Sequence, residues 1–193
     1  MALPDYAALS VGTAIVLADS TDHSPSTNYN LGTRTDQIDM TSLSYGAARQ
    51  SAKIDFGATW DMEVVLAAVI EWDGTPAPSA GETLDYYIGY SHSGTAAVGN
   101  PANLSGSDAA YTGISGGSLS DSLKQLTYIG SQVMDAVDYT NMPQVDTNIA
   151  TFVPRDRYAC LVVYNNAASS SLHSSMAESS IRLTPIRTSV VDT

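Results

Sequence analysis

The stretch Trp60-Asp-Met-Glu-Val-Val-Leu-Ala-Ala-Val-Ile-Glu-Trp-Asp73 decides the fold class. Trp60, Met62, Val64, Leu66, Ala68, Ile70 and Trp72 fall on one face at period two, and Asp61, Glu63, Val65, Ala67, Val69 and Glu71 on the other. Alternation of this kind is the pattern of a strand. Polar ends around an apolar middle suggest a long strand crossing the centre of a sheet. A helix over residues 62–71 is the rival, because short apolar runs are ambiguous.

Working outward, similar runs recur on both sides. Gln37 to Leu43 reads as a short first strand. Ala52, Ile54, Phe56 and Ala58 alternate with Lys53, Asp55, Gly57 and Thr59. Leu84, Tyr86, Ile88 and Tyr90 form another face after a turn-rich stretch, residues 74–81. Residues 125–137, 145–153, 158–164 and 180–187 complete a set of about eight strands. Pro154 and Pro185 are expected at strand ends or on edges, where a missing donor is tolerated. The connections 91–122 and 165–178 are long and rich in Gly, Ser, Asn and Ala, with helical turns expected near residues 107–111 and 118–124. The expectation is an all-β protein: a jelly-roll-like antiparallel β-sandwich of about eight strands. Residues 1–37 read as an extended N-terminal arm, draped on its own domain or ordered by a neighbouring subunit, and 38–193 as the sandwich.

The chain has 193 residues, enough for one well-buried domain. Charged residues are only 15% of it, against a usual share of about a quarter. The surface is therefore expected to be polar but weakly charged, which suits packing against other protein. Twenty acids against 8 Lys and Arg give a net charge of −12. That disfavours nucleic acid and anionic membrane surfaces, both of which attract clustered bases. The N-terminus lacks the basic region of a signal peptide, and the run Val11 to Ala18 is too short to span a bilayer. The single cysteine, Cys160, lies in the apolar run 158–164 and reads as a small buried hydrophobe.

No catalytic residue, metal ligand or cofactor motif emerges. His23, His92 and His173 lie in expected loops without ligand spacing. Asp19, Asp22 and His23, or Glu71, Asp73, Glu82 and Asp85, would be the only cation candidates, and acidic loop ends are ordinarily solvated. Twenty acids make a pair of facing carboxylates conceivable and identify none. The ratio of 11 tyrosines to 2 phenylalanines is biased. Tyr86, Tyr87, Tyr90 and Tyr111 are the candidates for stacking on sugars or anchoring an interface; each also suits a sandwich edge.

Three segments have a familiar wording: Thr33-Arg-Thr-Asp-Gln-Ile-Asp-Met-Thr-Ser-Leu43 continuing to Gly46-Ala-Ala-Arg-Gln-Ser-Ala52; Ala80-Gly-Glu-Thr-Leu-Asp-Tyr86; and Gly99-Asn-Pro-Ala-Asn-Leu-Ser-Gly-Ser-Asp-Ala-Ala-Tyr-Thr-Gly113. Together they resemble small structural proteins of tailed bacteriophages, over residues 31–187. The resemblance implies a non-enzymatic virion component made in the bacterial host cytoplasm. The expected role is capsid decoration or cement, binding the major capsid protein or other virion proteins through the arm and one sandwich surface. A homo-oligomer, dimer or trimer, would match lattice symmetry. Arg34, Arg49 and Lys53 are the capsid-contact candidates, although pairing with Asp36, Asp39 and Asp55 would equally occupy them. The alternative is a carbohydrate-binding jelly roll on a tail or fibre.

Overall fold

The computed structural model describes residues 6–18, 31–32, 36–58, 62–73, 77–134, 143–168, 170–174 and 179–191. Among them are eleven strands and one short helix. In chain order these are β1 (Tyr6–Val11), β2 (Ile15–Ala18), β3 (Ala48–Gln50), β4 (Ile54–Asp55), β5 (Glu63–Ile70), β6 (Thr83–Ser91), β7 (Ala109–Tyr111), α1 (Leu119–Leu123), β8 (Thr127–Val133), β9 (Gln144–Phe152), β10 (Tyr158–Asn165) and β11 (Ser180–Val191). All pairings are antiparallel. One sheet has the order β1-β11-β5-β9, with β2 also on β11; the other has the order β7-β3-β10-β6-β8, with β4 also on β10.

The order has a simple logic. β1 and β2 run along β11 as one interrupted strand, and β3 and β4 run along β10 as another. Inside these nest the pairs β5 with β9 and β6 with β8. The chain is thus one long hairpin folded back on itself, outermost strands with outermost. Contacts β11 to β5 and β10 to β6 then join alternate pairs into the two sheets. Among the described strands, only β7 lies outside this scheme, added to β3.

Within the deciding stretch, Glu63–Ile70 form strand β5, interior to its sheet between β11 and β9; Trp60 and Asp61 lie outside the described residues. Met62, Val64, Leu66, Ala68, Ile70 and Trp72 are all buried in the main core. They meet Leu84, Tyr86 and Ile88 of β6 and Ala159, Leu161 and Val163 of β10 across the sandwich. Phe56 and Phe152 close one end edge-to-face, with ring centroids 6.4 Å apart. Burying apolar alternate residues from both sheets is the main force holding them together.

Four expectations are corrected. First, the arm is not separate from the sandwich over residues 6–18. These form β1 and β2, and Leu17 is fully buried in the main core. Residues 19–30 and 33–35 lie outside the described residues. Second, residues 37–43 make no strand. Asp39 Oδ1 accepts the Thr41 N–H (2.9 Å) and Ser42 adopts φ 51, so the backbone turns, although Ile38, Met40 and Leu43 still bury their side chains. Third, the helical turn expected at 107–111 is strand β7. Fourth, Pro185 lies inside β11 and opposite Val64, not at an edge. The structure accommodates it by breaking the neighbouring strand: β1 ends at Val11 and β2 begins at Ile15. In the gap, the Gly12 N–H donates to the Pro185 carbonyl at 2.8 Å. A Cβ at residue 12 would lie 3.1 Å from Pro185 Cβ, so the small residue lets the backbone come in close.

Candidate functional site on the outer face of the second sheet

Along β6, even positions Leu84, Tyr86 and Ile88 point into the main core, so Asp85, Tyr87, Gly89 and Ser91 face outward. The long connection after β6 folds back over half of that outer face. It builds a second apolar cluster from Ala48, Ala102, Leu104, Tyr111, Leu123, Leu126, Cys160 and Val162. Gly89 is where this cover comes closest: a Cβ there would meet Leu104 Cδ1 at 2.2 Å.

The cover is pinned mainly by side chains of residues 49–53, the end of β3 and the link to β4. Lys53 Nζ donates to Ser91 Oγ (2.9 Å), to the carbonyls of Ser93 (3.0 Å) and Val98 (3.1 Å), and to Asn100 Oδ1. Partial burial holds this ammonium below the ordinary lysine value. Gln50 Oε1 accepts the Ser105 N–H (2.8 Å), and Arg49 Nε pairs with Asp108 Oδ1 at 2.7 Å. Tyr111 donates its hydroxyl to the Ala102 carbonyl at 2.8 Å. At the far end, Ser118 caps α1 by accepting the Asp121 N–H (3.1 Å). α1 then places Leu123 in the second cluster.

The other half of the outer face stays open. Register places Asp85 between Tyr164 of β10 and Ser131 of β8. Tyr87, two residues along the same face, packs edge-to-face on Tyr128 of β8, with centroids 5.4 Å apart. Tyr128 and Ser131 are joined through their hydroxyls at 2.7 Å, and Ser131 donates onward to Asp85 Oδ1. Tyr87, Tyr128 and Tyr164, with Ser120, Leu123, Lys124 and Leu126 from the end of the cover, line a cleft of about 400 Å³. Desolvation, then the Asp85 carboxylate, raises the Tyr87 phenol above its usual value; desolvation, then Tyr45 and Asp85, raises that of Tyr164. Both phenols therefore remain neutral hydroxyls at physiological pH.

A second cleft of about 370 Å³, at the β1–β2 break, is lined by Asp36, Asp55, Phe56, Met62, Pro185 and Arg187 among others. Asp55 is held by Arg157 through Nε to Oδ1 and Nη2 to Oδ2, both 2.8 Å. That bond keeps the Asp55 carboxyl below its usual range. Burial, then the neighbouring Asp55, raises Asp36 above 3.8. The two shifts act oppositely on stability. The Asp55 contribution is present above its unfolded value and is lost as pH falls through its folded one. The Asp36 carboxyl stabilises the fold while protonated and loses that as pH rises through its raised folded value. Asp36→Asn is therefore expected to raise the urea midpoint at pH 7 and to leave it unchanged at pH 3, where both forms are neutral. An equal gain at the two pH values would show that the charge is irrelevant.

The residues expected from sequence separate sharply. Arg34 lies outside the described residues. Arg49 and Lys53 bind within the protein, and their partners are Asp108 and the 91–100 loop, not Asp36, Asp39 or Asp55. Tyr86 is fully buried and its hydroxyl meets Gln132 Oε1 at 3.3 Å, while Tyr111 is buried under the cover; neither can touch a ligand at the surface. Tyr90 is half-buried against the main core and lines a different cleft, with Thr127, Phe152 and Arg155. Tyr87 alone of the four stands in the tyrosine cleft. Tyr128 and Tyr164 are not singled out by the sequence: β10 is apolar on both faces from Ala159 to Val163, and a register shift interrupts the β6–β8 pairing beside Tyr128, so no simple alternation marks either ring as outward.

Glu71, Asp73, Glu82 and Asp85 do not gather: Glu82 Oε2 accepts the Ser79 N–H, Asp85 faces outward from β6, and no group of three or more metal-ligating side chains occurs among the described residues. Asp19, Asp22 and His23 lie outside those residues. Cys160 is a buried member of the second cluster, and burial pushes its thiol up to about 11, leaving little thiolate for chemistry. No family model, curated protein or solved structure matches the chain.

Proposed function

We propose that the chain is a non-enzymatic structural protein of a tailed-phage virion, a jelly-roll sandwich that decorates the capsid lattice. The observation that carries this reading is the nested strand order. Counting β1/β2 and β3/β4 as single strands and setting β7 aside, eight strands pair first with last, second with seventh, third with sixth and fourth with fifth. A long hairpin rolled in this way is the double Greek key of jelly rolls, an architecture recurrent in capsid proteins. Fold alone does not carry function. The wording of the three segments that resemble phage proteins supplies the rest, and the first and third meet in space: Arg49 and Gln50 of the first bind Asp108 and Ser105 of the third.

The contact surface of this reading moves from the arm and its bases to the exposed valines on and beside β8 and β9. β8 and β9 end their respective sheets. They lie side by side, with Gln144 Nε2 donating to the Val133 carbonyl at 2.7 Å. Val133 on β8, Val145 on β9 and Val153 just past the end of β9 are 56%, 43% and 57% exposed. Unpaired edges bearing apolar side chains are what proteins blunt unless something covers them. The proposed cover is the major capsid protein or a second copy in a symmetric dimer or trimer.

The test is quantitative mass spectrometry of purified particles from the producing system. A copy number comparable to that of the major capsid protein is expected. A few copies per particle would place the protein at a vertex, tail or fibre, and absence would overturn the virion reading. Deleting residues 1–37 would remove β1 and β2, which pair with β11, and so would not separate capsid binding from folding. Val145→Asp with Val153→Asp, both on exposed positions, is expected to lower particle occupancy at least about tenfold while the isolated protein stays folded.

A further inference from the structure

We infer that the open half of the outer face is a binding platform for a neutral oligosaccharide, with Tyr87, Tyr128 and Tyr164 as the stacking surface and Asp85 as the acceptor for sugar hydroxyls. This goes beyond the capsid role and does not depend on it.

The argument is one of matching chemistry. Sugar rings have apolar C–H faces and a rim of hydroxyls, so they need flat aromatic surface beside polar groups that can both give and take hydrogen bonds. The cleft offers the aromatic surface, and the Asp85 carboxylate lies beside it on the same sheet face, opposite Tyr164 and two residues from Tyr87. Three tyrosines from three adjacent strands, β8, β6 and β10, line the cleft. Tyr128 is 55% exposed, so most of its ring is open to a ligand. Its partner Tyr87 packs edge-to-face against it, and Leu123 and Leu126 line the same cleft. Next to the rings, the chain of Tyr128 hydroxyl, Ser131 and Asp85 carboxylate is fastened to the sheet. Among the described residues Ser131 alone donates to Asp85, and only to its Oδ1. A carboxylate with spare lone pairs accepts the vicinal hydroxyls of a sugar. Lys124 at the rim is a donor, with its charge already balanced by Asp121 at 2.8 Å.

The other occupants fit less well. An apolar peptide or helix laid across the cleft would strip water from Asp85 without offering it donors, a costly burial. An anionic glycan or nucleic acid would meet that carboxylate on a chain of net charge −12. The cleft volume of about 400 Å³ lies within the range of small-ligand sites. Both walls are pre-formed: one is sheet and the other is α1, held by its Ser118 cap.

The experiment is a titration of the full chain, followed by isothermal calorimetry, with maltohexaose, cellohexaose, mannohexaose and chitohexaose, and with hexagalacturonate as the acidic probe. Saturable binding of at least one neutral probe is expected, with hexagalacturonate silent. Tyr128→Ala and Asp85→Asn are each expected to weaken that binding about tenfold or more, and Tyr90→Ala, outside the cleft, to leave it unchanged. Tyr128→Phe, which keeps the ring, is expected to retain most of the affinity. Thermal melts of each variant separate loss of binding from loss of fold. No saturable binding by any neutral probe would overturn the proposal, as would binding indifferent to both Tyr128→Ala and Asp85→Asn. Tighter binding of hexagalacturonate, or of a decaproline peptide run alongside, would overturn it too.

Discussion

Gly106→Ala is expected to unseat the cover of the second sheet. Gly106 has φ +72, and a Cβ there would lie 2.0 Å from the Ala96 carbonyl oxygen, 2.6 Å from its carbon and 2.8 Å from its Cα. All three are backbone atoms, so no rotamer change relieves the overlap. The loop must move, and with it go the Lys53 N–H bond to the Gly106 carbonyl (3.1 Å) and the packing of Leu104 under the cover. A loss of roughly 3 kcal/mol is expected from combined strain and lost packing. Gly116→Ala is the control. Its φ of +82 is similarly unfavourable, yet nothing lies within 4 Å of the added Cβ, so it is expected to cost only about 1 kcal/mol. Urea denaturation of both variants measures the difference, and hydrogen exchange should localise the Gly106 effect to residues 92–126. Equal costs for the two substitutions would mean that the loop carries no packing of consequence.

The second large effect is expected at Lys53. Its ammonium is the hub on which two carbonyls, a serine hydroxyl and an asparagine oxygen converge. Lys53→Met keeps the stem and removes the charge, so the 91–100 loop loses its common donor. Charge-assisted hydrogen bonds are stronger than neutral ones, and orphaned acceptors add their own cost, but partial exposure lets water replace some of them. A destabilisation of about 2 kcal/mol is expected. Lys53→Arg is not expected to restore it, because a planar fork cannot reproduce a compact ammonium that bonds in several directions. A methionine variant within a few tenths of a kcal/mol of the parent would show the cage to be ornamental.

These two positions also mark how far the residues could be read without the fold. The alternation of Met62 to Trp72 and of Leu84 to Ile88 was plain, because each strand buries one face by its own local pattern. The same alternation already assigned Tyr86 to the inner face and Tyr87 to the outer, yet the excess of tyrosine drew attention to both. The strands of residues 6–18 were read as an arm because their partner, β11, begins at Ser180, and nothing local announces a pairing across the whole chain. Lys53 read as a surface base suited to a capsid contact, since its acceptors lie 38 to 47 residues further on.

The all-β class and most interior strands are legible in the residues alone. Burial of alternate apolar residues is a local pattern, and backbone pleating converts it directly into an inner and an outer face. Which strands are neighbours, that half of one outer face is covered while the other half is open, and that tyrosines from three strands line one cleft beside a carboxylate are set by the three-dimensional fold. Those outcomes depend on cross-strand register and loop closure, which couple residues far apart in the chain and leave no periodic trace along it.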